Sequence, residues 1–164
     1  MIREVQASDF EAISEIYNEY ILHSTATFEV EPVTAEEMER RMGEIPLRCP
    51  YFVWTDEDGR VQGYAYAHLW QERAAYARTW ETTVYVRRGC AGRGIGSALM
   101  RRLIEECRRA GCHALVACIT AENADSRRMH ERLGFRQVSL FREVGWKFDR
   151  WLDVTDYELL LNEE

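Results

Sequence analysis

The chain has no cysteine pair at a spacing that would staple or metallate it. Its five cysteines (Cys49, Cys90, Cys107, Cys112, Cys118) form no CxxC pair, fit no zinc pattern and are odd in number. That argues against a disulfide framework and predicts reduced thiols in a cytosolic protein with no metal site. No apolar run approaches bilayer-spanning length. Met1-Ile2-Arg3-Glu4 leads straight into mixed polar sequence, so neither a signal peptide nor a membrane partner is expected. Positive charge is in deficit: 21 Lys and Arg stand against 28 Asp and Glu, a net charge of -7. A general nucleic-acid or membrane binder needs a broad basic face, which this balance disfavours. Repeats, low-complexity segments and linkers are also missing. A chain of 164 residues, 46% hydrophobic and 30% charged, is ordinary for one soluble domain spanning 1–164.

What positive charge there is comes in clusters, at 87–93, 101–109 and 127–132, which suits a local site for a small polyanion. The first cluster lies in Glu81-Thr82-Thr83-Val84-Tyr85-Val86-Arg87-Arg88-Gly89-Cys90-Ala91-Gly92-Arg93-Gly94-Ile95-Gly96-Ser97. Thr82 to Val86 is a β-branched and aromatic run, expected as strand. The glycines permit positive φ and close approach of a ligand. From Ile95 the apolar spacing turns helical, and a helix N-terminus presents free N–H groups to an anion. The stretch reads as a phosphate or pyrophosphate cradle, or else as a glycine-rich connector on a solvated basic loop. It is no Walker loop, since no Gly-Lys-Ser/Thr follows. It fits a dinucleotide fingerprint poorly, since the order is GxxGxGxG and no acidic residue closes a strand about twenty residues on.

The expected order along the chain is βααβββαβαββ, a mixed, mostly antiparallel seven-stranded sheet with four helices. Strand Ile2 to Gln6 leads to a helix opened by a Ser8/Glu11 capping box and ending near His23. A second helix runs from the Thr34 cap to Met42, with Glu37 completing its box. Strands 51–55 and 61–68 flank an Asp58-Gly59 turn. Tyr64 and Tyr66 are assigned to one face of the second of these strands, Ala65 and Ala67 to the other. A strand from Thr79 to Val86 is followed by a helix with the stripe Ile95, Leu99, Leu103, Cys107, ending at Gly111. Ala114 to Thr120 reads as a buried strand. A helix from Asn123 to Leu133 stops at Gly134, and strands 136–141 and 151–160 close the chain.

Several residues are candidates for chemistry. Glu81 falls within a strand, where glutamate is uncommon. It is either solvent-facing or paired with an arginine, or a partly buried carboxylate of raised pKa able to act as a base. Asn123, Ser126 and His130 are spaced to share one helix face, a polar stripe suited to hydrogen bonding an extended ligand. His130 taken alone reads as a satisfied structural histidine. Phe28 is a core anchor or a substrate wall. Ligands of βαβ units bind beyond the carboxyl ends of the strands, which groups Glu81, the cradle and the polar stripe.

With those residues in view, the chain resembles the GNAT superfamily of acetyl-CoA-dependent N-acetyltransferases. Ala91-Gly92-Arg93-Gly94-Ile95-Gly96 is similar to R/Q-x-x-G-x-G/A, with Ala91 where an Arg or Gln is usual. Asn123 to Phe135 is similar to N-x-x-S-x-x-L-H-E-x-x-G-F. Within the superfamily the phosphinothricin and methionine sulfoximine acetyltransferases are most similar, over nearly the whole chain. The likeness includes Ser24-Thr25-Ala26-Thr27-Phe28, W-x-x-R-x-x-Y at Trp70, Arg73 and Tyr76, Glu81 to Val86, and G-x-K-x-x-x-W-x-D-V from Gly145 to Val154.

The resemblance implies direct transfer of an acetyl group from acetyl-CoA to a small amino-acid-like amine in a ternary complex. Glu81 would be the general base and His130 an aid to proton movement. Val84, Tyr85, Val86, Gly92, Arg93, Gly94, Ile95, Gly96, Ser97, Asn123 and Ser126 would hold the cofactor. Phe28, Arg73, Tyr76 and Glu81 would meet the substrate, with Arg73 on its carboxylate or phosphinate. The likeness also implies a homodimer. An acetyltransferase for polyamines or protein N-termini, and a non-catalytic acyl-CoA-binding module, are the competing expectations.

Overall fold

A computed structural model describes residues 1–161. The elements are β1 (Ile2–Glu4), α1 (Phe10–His23), α2 (Ala35–Gly43), β2 (Tyr51–Thr55), β3 (Val61–Leu69), β4 (Thr79–Val86), α3 (Ile95–Arg109), β5 (Ala114–Thr120), α4 (Ala124–Arg132), β6 (Arg136–Gln137), β7 (Phe141–Lys147) and β8 (Arg150–Leu160). The expected order holds through α4, after which three strands rather than two follow among the described residues, in a mixed α/β sheet whose pairs are antiparallel except β4–β5. The strands run β1-β2-β3-β4-β5-β8-β6, with β7 also on β8.

The sheet has eight strands rather than the expected seven. The segment read as one strand over 136–141 is a two-residue β6, a break, and a separate β7 that returns as β8. The β7–β8 turn places Phe148 and Asp149 at φ of 52° and 57°, between the paired Lys147 and Arg150. Two central residues at positive φ are the requirement of a tight hairpin turn normally met by Asn-Gly. Phe-Asp carries no such signal, so the hairpin is hidden in the sequence.

The two sheet faces bury different helices. On one, Tyr51, Val53 and Tyr64 pack with Phe10, Ile13, Ile16 and Met38 of α1 and α2. On the other, Trp80, Leu115, Ala117 and Tyr157 pack with Leu99, Leu103 and Cys107 of α3 and with Phe135 beyond α4. Each fully buried large apolar side chain contributes roughly 2 kcal/mol. The predicted α3 stripe is buried throughout.

Caps differ in detail from expectation. The Thr34 hydroxyl accepts from Glu37 N–H at 3.1 Å, but the Glu37 carboxylate turns to Arg40 and Arg41 instead of closing the box. Ser8 does not cap α1. A short 3-10 turn over Ala7–Asp9 precedes the helix, and Asp9, buried, accepts from Gln6 N–H at 2.8 Å and pairs with Arg3. Ser8 lies inside that turn and Asp9 takes the N-cap position of α1, so the Ser8 hydroxyl is not where a capping box needs it.

Candidate active site

The site is built on a defect in the sheet. The parallel ladder between β4 and β5 covers Thr79–Glu81 against Ala114–Val116 and stops there. Past Glu81 the two strands part, and the β5 side of β4 keeps no ladder partner among the described residues. Which backbone groups this frees follows from the opposite edge. Arg87 N–H donates to Gln62 O at 2.7 Å, so odd-numbered β4 residues turn their amides to β3 and even-numbered ones turn away. The N–H and C=O of Val84 and the N–H of Val86 therefore open into the gap. The Val86 carbonyl accepts from Tyr20 Oη at 2.5 Å. Tyr85, expected at this edge, has its amide in the β3 ladder and its hydroxyl directed to Ala26 O at 3.4 Å.

Glu81 stands where the gap begins. Its side chain lies on the α1/α2 face, directly across from His68 on β3. Burial pushes its carboxyl above the usual glutamate value; His68 opposes that shift and Asp156 on β8 adds to it. Thr83 and Tyr66 form the next cross-strand pair on the same face, and Cys118 pairs with Asp156 on the β5–β8 side. These neighbours were not singled out from sequence. Extending the Tyr64/Tyr66 alternation by one step would have put His68 on the face of Glu81, but only after the β3–β4 register was known.

Beyond the far end of β4 lies the glycine-rich turn read from sequence as a cradle. Gly92 and Gly94 adopt φ of 77° and 78°, and nothing stands within 4 Å of where their Cβ atoms would be. Gly94 is the N-cap of α3. Among the described residues, no backbone acceptor takes the N–H of Gly92, Arg93, Gly94, Ile95, Gly96 or Ser97. Six backbone donors at an open, left-handed turn and a helix N-terminus fit a pyrophosphate. They do so without needing the side chain that Ala91 lacks.

The polar stripe on α4 is partly committed to the helix itself. Asn123 is the N-cap, its Oδ1 accepting from Ser126 N–H at 3.2 Å, which leaves its Nδ2 donors for a ligand. His130 is buried, stacks edge-on against Phe135 with centroids 5.1 Å apart and donates from Nδ1 to Ser126 O at 2.8 Å. That bond leaves Nε2 bare in the neutral ring, and burial lowers the histidine pKa. α4 packs with α3 on the face opposite the Glu81 side chain, so the structure does not bring His130 and Glu81 together on one surface.

The substrate candidates lie on two connections of the sheet, one leading into β4 and one following α1. Arg73 and Tyr76 lie in the connection from β3 to β4, beside the His68–Glu81 end of the ladder. Tyr76 meets Trp70 edge-on at 5.3 Å. Phe28 belongs to a loop drawn across the gap on the Glu81 face. Tyr85 reaches this loop from β4, and Thr120 Oγ1 at the end of β5 donates to Thr25 O at 2.5 Å. The Phe28 ring rests on Gly145.

Residues 2–155 match the family model described as Acetyltransferase (GNAT) domain. The chain is 39% identical over 160 residues to a phosphinothricin N-acetyltransferase of Streptomyces coelicolor, covering 96% of this chain and 94% of the relative. It is 39% identical to an L-methionine sulfoximine/L-methionine sulfone acetyltransferase of Salmonella typhimurium, covering 99% and 95%. Among solved structures, a GNAT superfamily phosphinothricin acetyltransferase from Sinorhizobium meliloti in complex with acetyl-CoA superposes with a TM-score of 0.95 at 36% identity, covering 98% of this chain and 88% of that one.

Proposed function

The chain belongs to the GNAT acetyltransferase family, whose cosubstrate is acetyl-CoA, and from that premise we propose how its residues divide the work. It acetylates the amino group of a small amino-acid-like substrate such as L-phosphinothricin or methionine sulfoximine or sulfone. The observation that carries this reading is Glu81: a carboxylate of raised pKa at the mouth of the β4–β5 gap. It has an arginine- and aromatic-bearing connection on one side and an anion cradle on the other.

Acetyl-CoA supplies an activated acyl thioester. The amides of Gly92 to Ser97, with Arg93, hold its pyrophosphate. Val84 and Val86 bind the pantetheine arm along the open β4 edge, and their N–H groups are the donors available to polarise an acyl oxygen. Asn123 Nδ2 and Ser126 add polar contacts from α4. Arg73 forks onto the substrate carboxylate or phosphinate, and Phe28 and Tyr76 shape the pocket. The substrate ammonium sits beside Glu81, which takes one N–H proton directly or through a water and frees the nitrogen lone pair for attack. The new C–N bond forms as the acyl C–S bond breaks and the coenzyme A sulfur leaves as thiolate or thiol; His130, with Nε2 bare, can accept a proton and pass it on along the cofactor side.

We also read residues 1–164 as one domain, which the continuous sheet supports, and as a homodimer in the cytoplasm. Trp146 and Trp151, 54% and 57% exposed and meeting edge-on with centroids 4.9 Å apart across β7–β8, support self-association. The five unpaired cysteines support a reducing compartment.

The test is a thiol-release assay with acetyl-CoA against phosphinothricin, methionine sulfoximine, methionine sulfone, ordinary amino acids, a polyamine and a peptide with a free N-terminus. Turnover of the amino-acid analogues is expected. Turnover confined to polyamine or peptide would overturn the substrate assignment, and binding of acetyl-CoA with no turnover of any amine would overturn the enzyme reading.

A further inference from the structure

The Gly145-Trp146-Lys147 run of β7 is not used by the mechanism, yet it carries the most unusual side chain in the protein. Lys147 is buried and lies within ion-pair distance of no carboxylate among the described residues. Its ammonium donates to Ser24 O at 2.7 Å and Thr27 O at 2.8 Å and reaches Tyr20 O at 3.5 Å. Three N–H donors thus meet three carbonyls: one from the last turn of α1, two from the loop that follows. Burial lowers the lysine pKa, and Glu29 partly restores it. A lone charge is costly to bury, and the carbonyls at a helix C-terminus are the partial negative charge that offsets it.

Two residues upstream on the same strand face, Gly145 serves the same loop. A Cβ there would stand 2.2 Å from Phe28 Cε2, so only glycine leaves a seat for the ring. One face of β7 therefore supplies both a clamp for the backbone of residues 24–27 and a floor under Phe28. The loop is also tied to the entry of α4, where Thr25 Oγ1 donates to Glu122 Oε1 at 2.6 Å and Arg150 pairs with Glu122.

We propose that Lys147 and Gly145 are positioning residues that set the depth at which Phe28 borders the substrate pocket, and so tune affinity for the amino substrate. The proposal rests on the reading of Phe28 as a substrate wall.

Lys147→Met, Gly145→Ala and Phe28→Ala are compared by steady-state kinetics, singly and in pairs with Phe28→Ala. Lys147→Met and Gly145→Ala should each raise KM for the amino substrate about tenfold, with kcat and the acetyl-CoA KM within about twofold of wild type. In the Phe28→Ala background neither should add more than about twofold, because their effect runs through the missing ring. A general structural weakening would move both KM values and kcat and would add to Phe28→Ala, which overturns the proposal. An unchanged amino-substrate KM in Lys147→Met and Gly145→Ala, with a raised one in Phe28→Ala, overturns it while leaving the wall in place. A wild-type KM in Phe28→Ala removes the wall and the proposal together. If Lys147→Met does not fold, Gly145→Ala, which keeps the ammonium, decides by the same criteria.

Discussion

His68 and Glu81 face each other across the β3–β4 ladder, a histidine and a glutamate in direct register on the sheet face that α1 and α2 cover further along. Burial raises the Glu81 pKa above its ordinary 4.5, and the positive form of His68 pulls it back. A base works deprotonated, so kcat at saturating substrates should fall as pH drops through this raised value, placing the acidic limb above the ordinary carboxylate range. Replacing His68 by Phe removes the opposing charge, so the limb should move to higher pH. A limb that moves down, or stays put, would show that His68 does not tune Glu81.

Glu81→Gln separates the catalytic cost of the carboxylate from its structural cost. Loss of a general base should lower kcat by about 10²–10³-fold, with acetyl-CoA affinity little changed. Stability should move the other way. A carboxyl whose folded pKa is raised binds more protons folded than unfolded, so its stabilisation is present below the unfolded value and lost as pH rises through the folded one. The Gln variant escapes that loss. Its thermal midpoint should exceed that of wild type at pH 7, and the two should converge below pH 4, as read by calorimetry. Equal midpoints at pH 7 would mean that Glu81 carries no burial cost.

How much of this was legible in the sequence depended on the range of the interaction. The α3 stripe is a local pattern and appears where expected, and the glycine turn of Gly92 to Ser97 leads into α3 at Gly94, which is the part of the cradle reading that local sequence could give. Glu81 was legible as an oddity of its strand; its pairing with His68 was not, because register is fixed by the whole hairpin. The free amides of Val84 and Val86 depend on where the β4–β5 ladder ends, a tertiary property. The Ser8/Glu11 spacing gives no sign of the 3-10 turn over Ala7–Asp9 that shifts the N-cap of α1 one residue past Ser8. Lys147 read as part of a motif without a role, since its three carbonyl partners lie more than a hundred residues away.

Gly94 is the N-cap of α3 at φ of 78°, a conformation that costs an L-residue with a side chain roughly 1–2 kcal/mol. Gly94→Ala should therefore lower folding stability by about 1 kcal/mol. A methyl group would also stand in the open space before the cradle, so the acetyl-CoA KM should rise about tenfold with the amino-substrate KM unchanged. Chemical denaturation and initial rates check the two effects separately. Stability loss without a change in the acetyl-CoA KM would place the pyrophosphate elsewhere.

Asn123 caps α4 and is proposed to bind the cofactor as well, and substitution can divide the two roles. Its Oδ1 caps α4 by accepting from Ser126 N–H, and its Nδ2 is the donor that the proposed cofactor contact would use. Aspartate keeps the acceptor and adds a charge that a helix N-terminus favours, but has no amide donor. Asn123→Asp should therefore hold the thermal midpoint at or above wild type while raising the acetyl-CoA KM. Asn123→Ala loses both groups and should also cost about 1 kcal/mol of stability. Acetyl-CoA affinity matching wild type in the Asp variant would leave Asn123 a helix cap alone, and the cofactor contacts from α4 would then fall to Ser126.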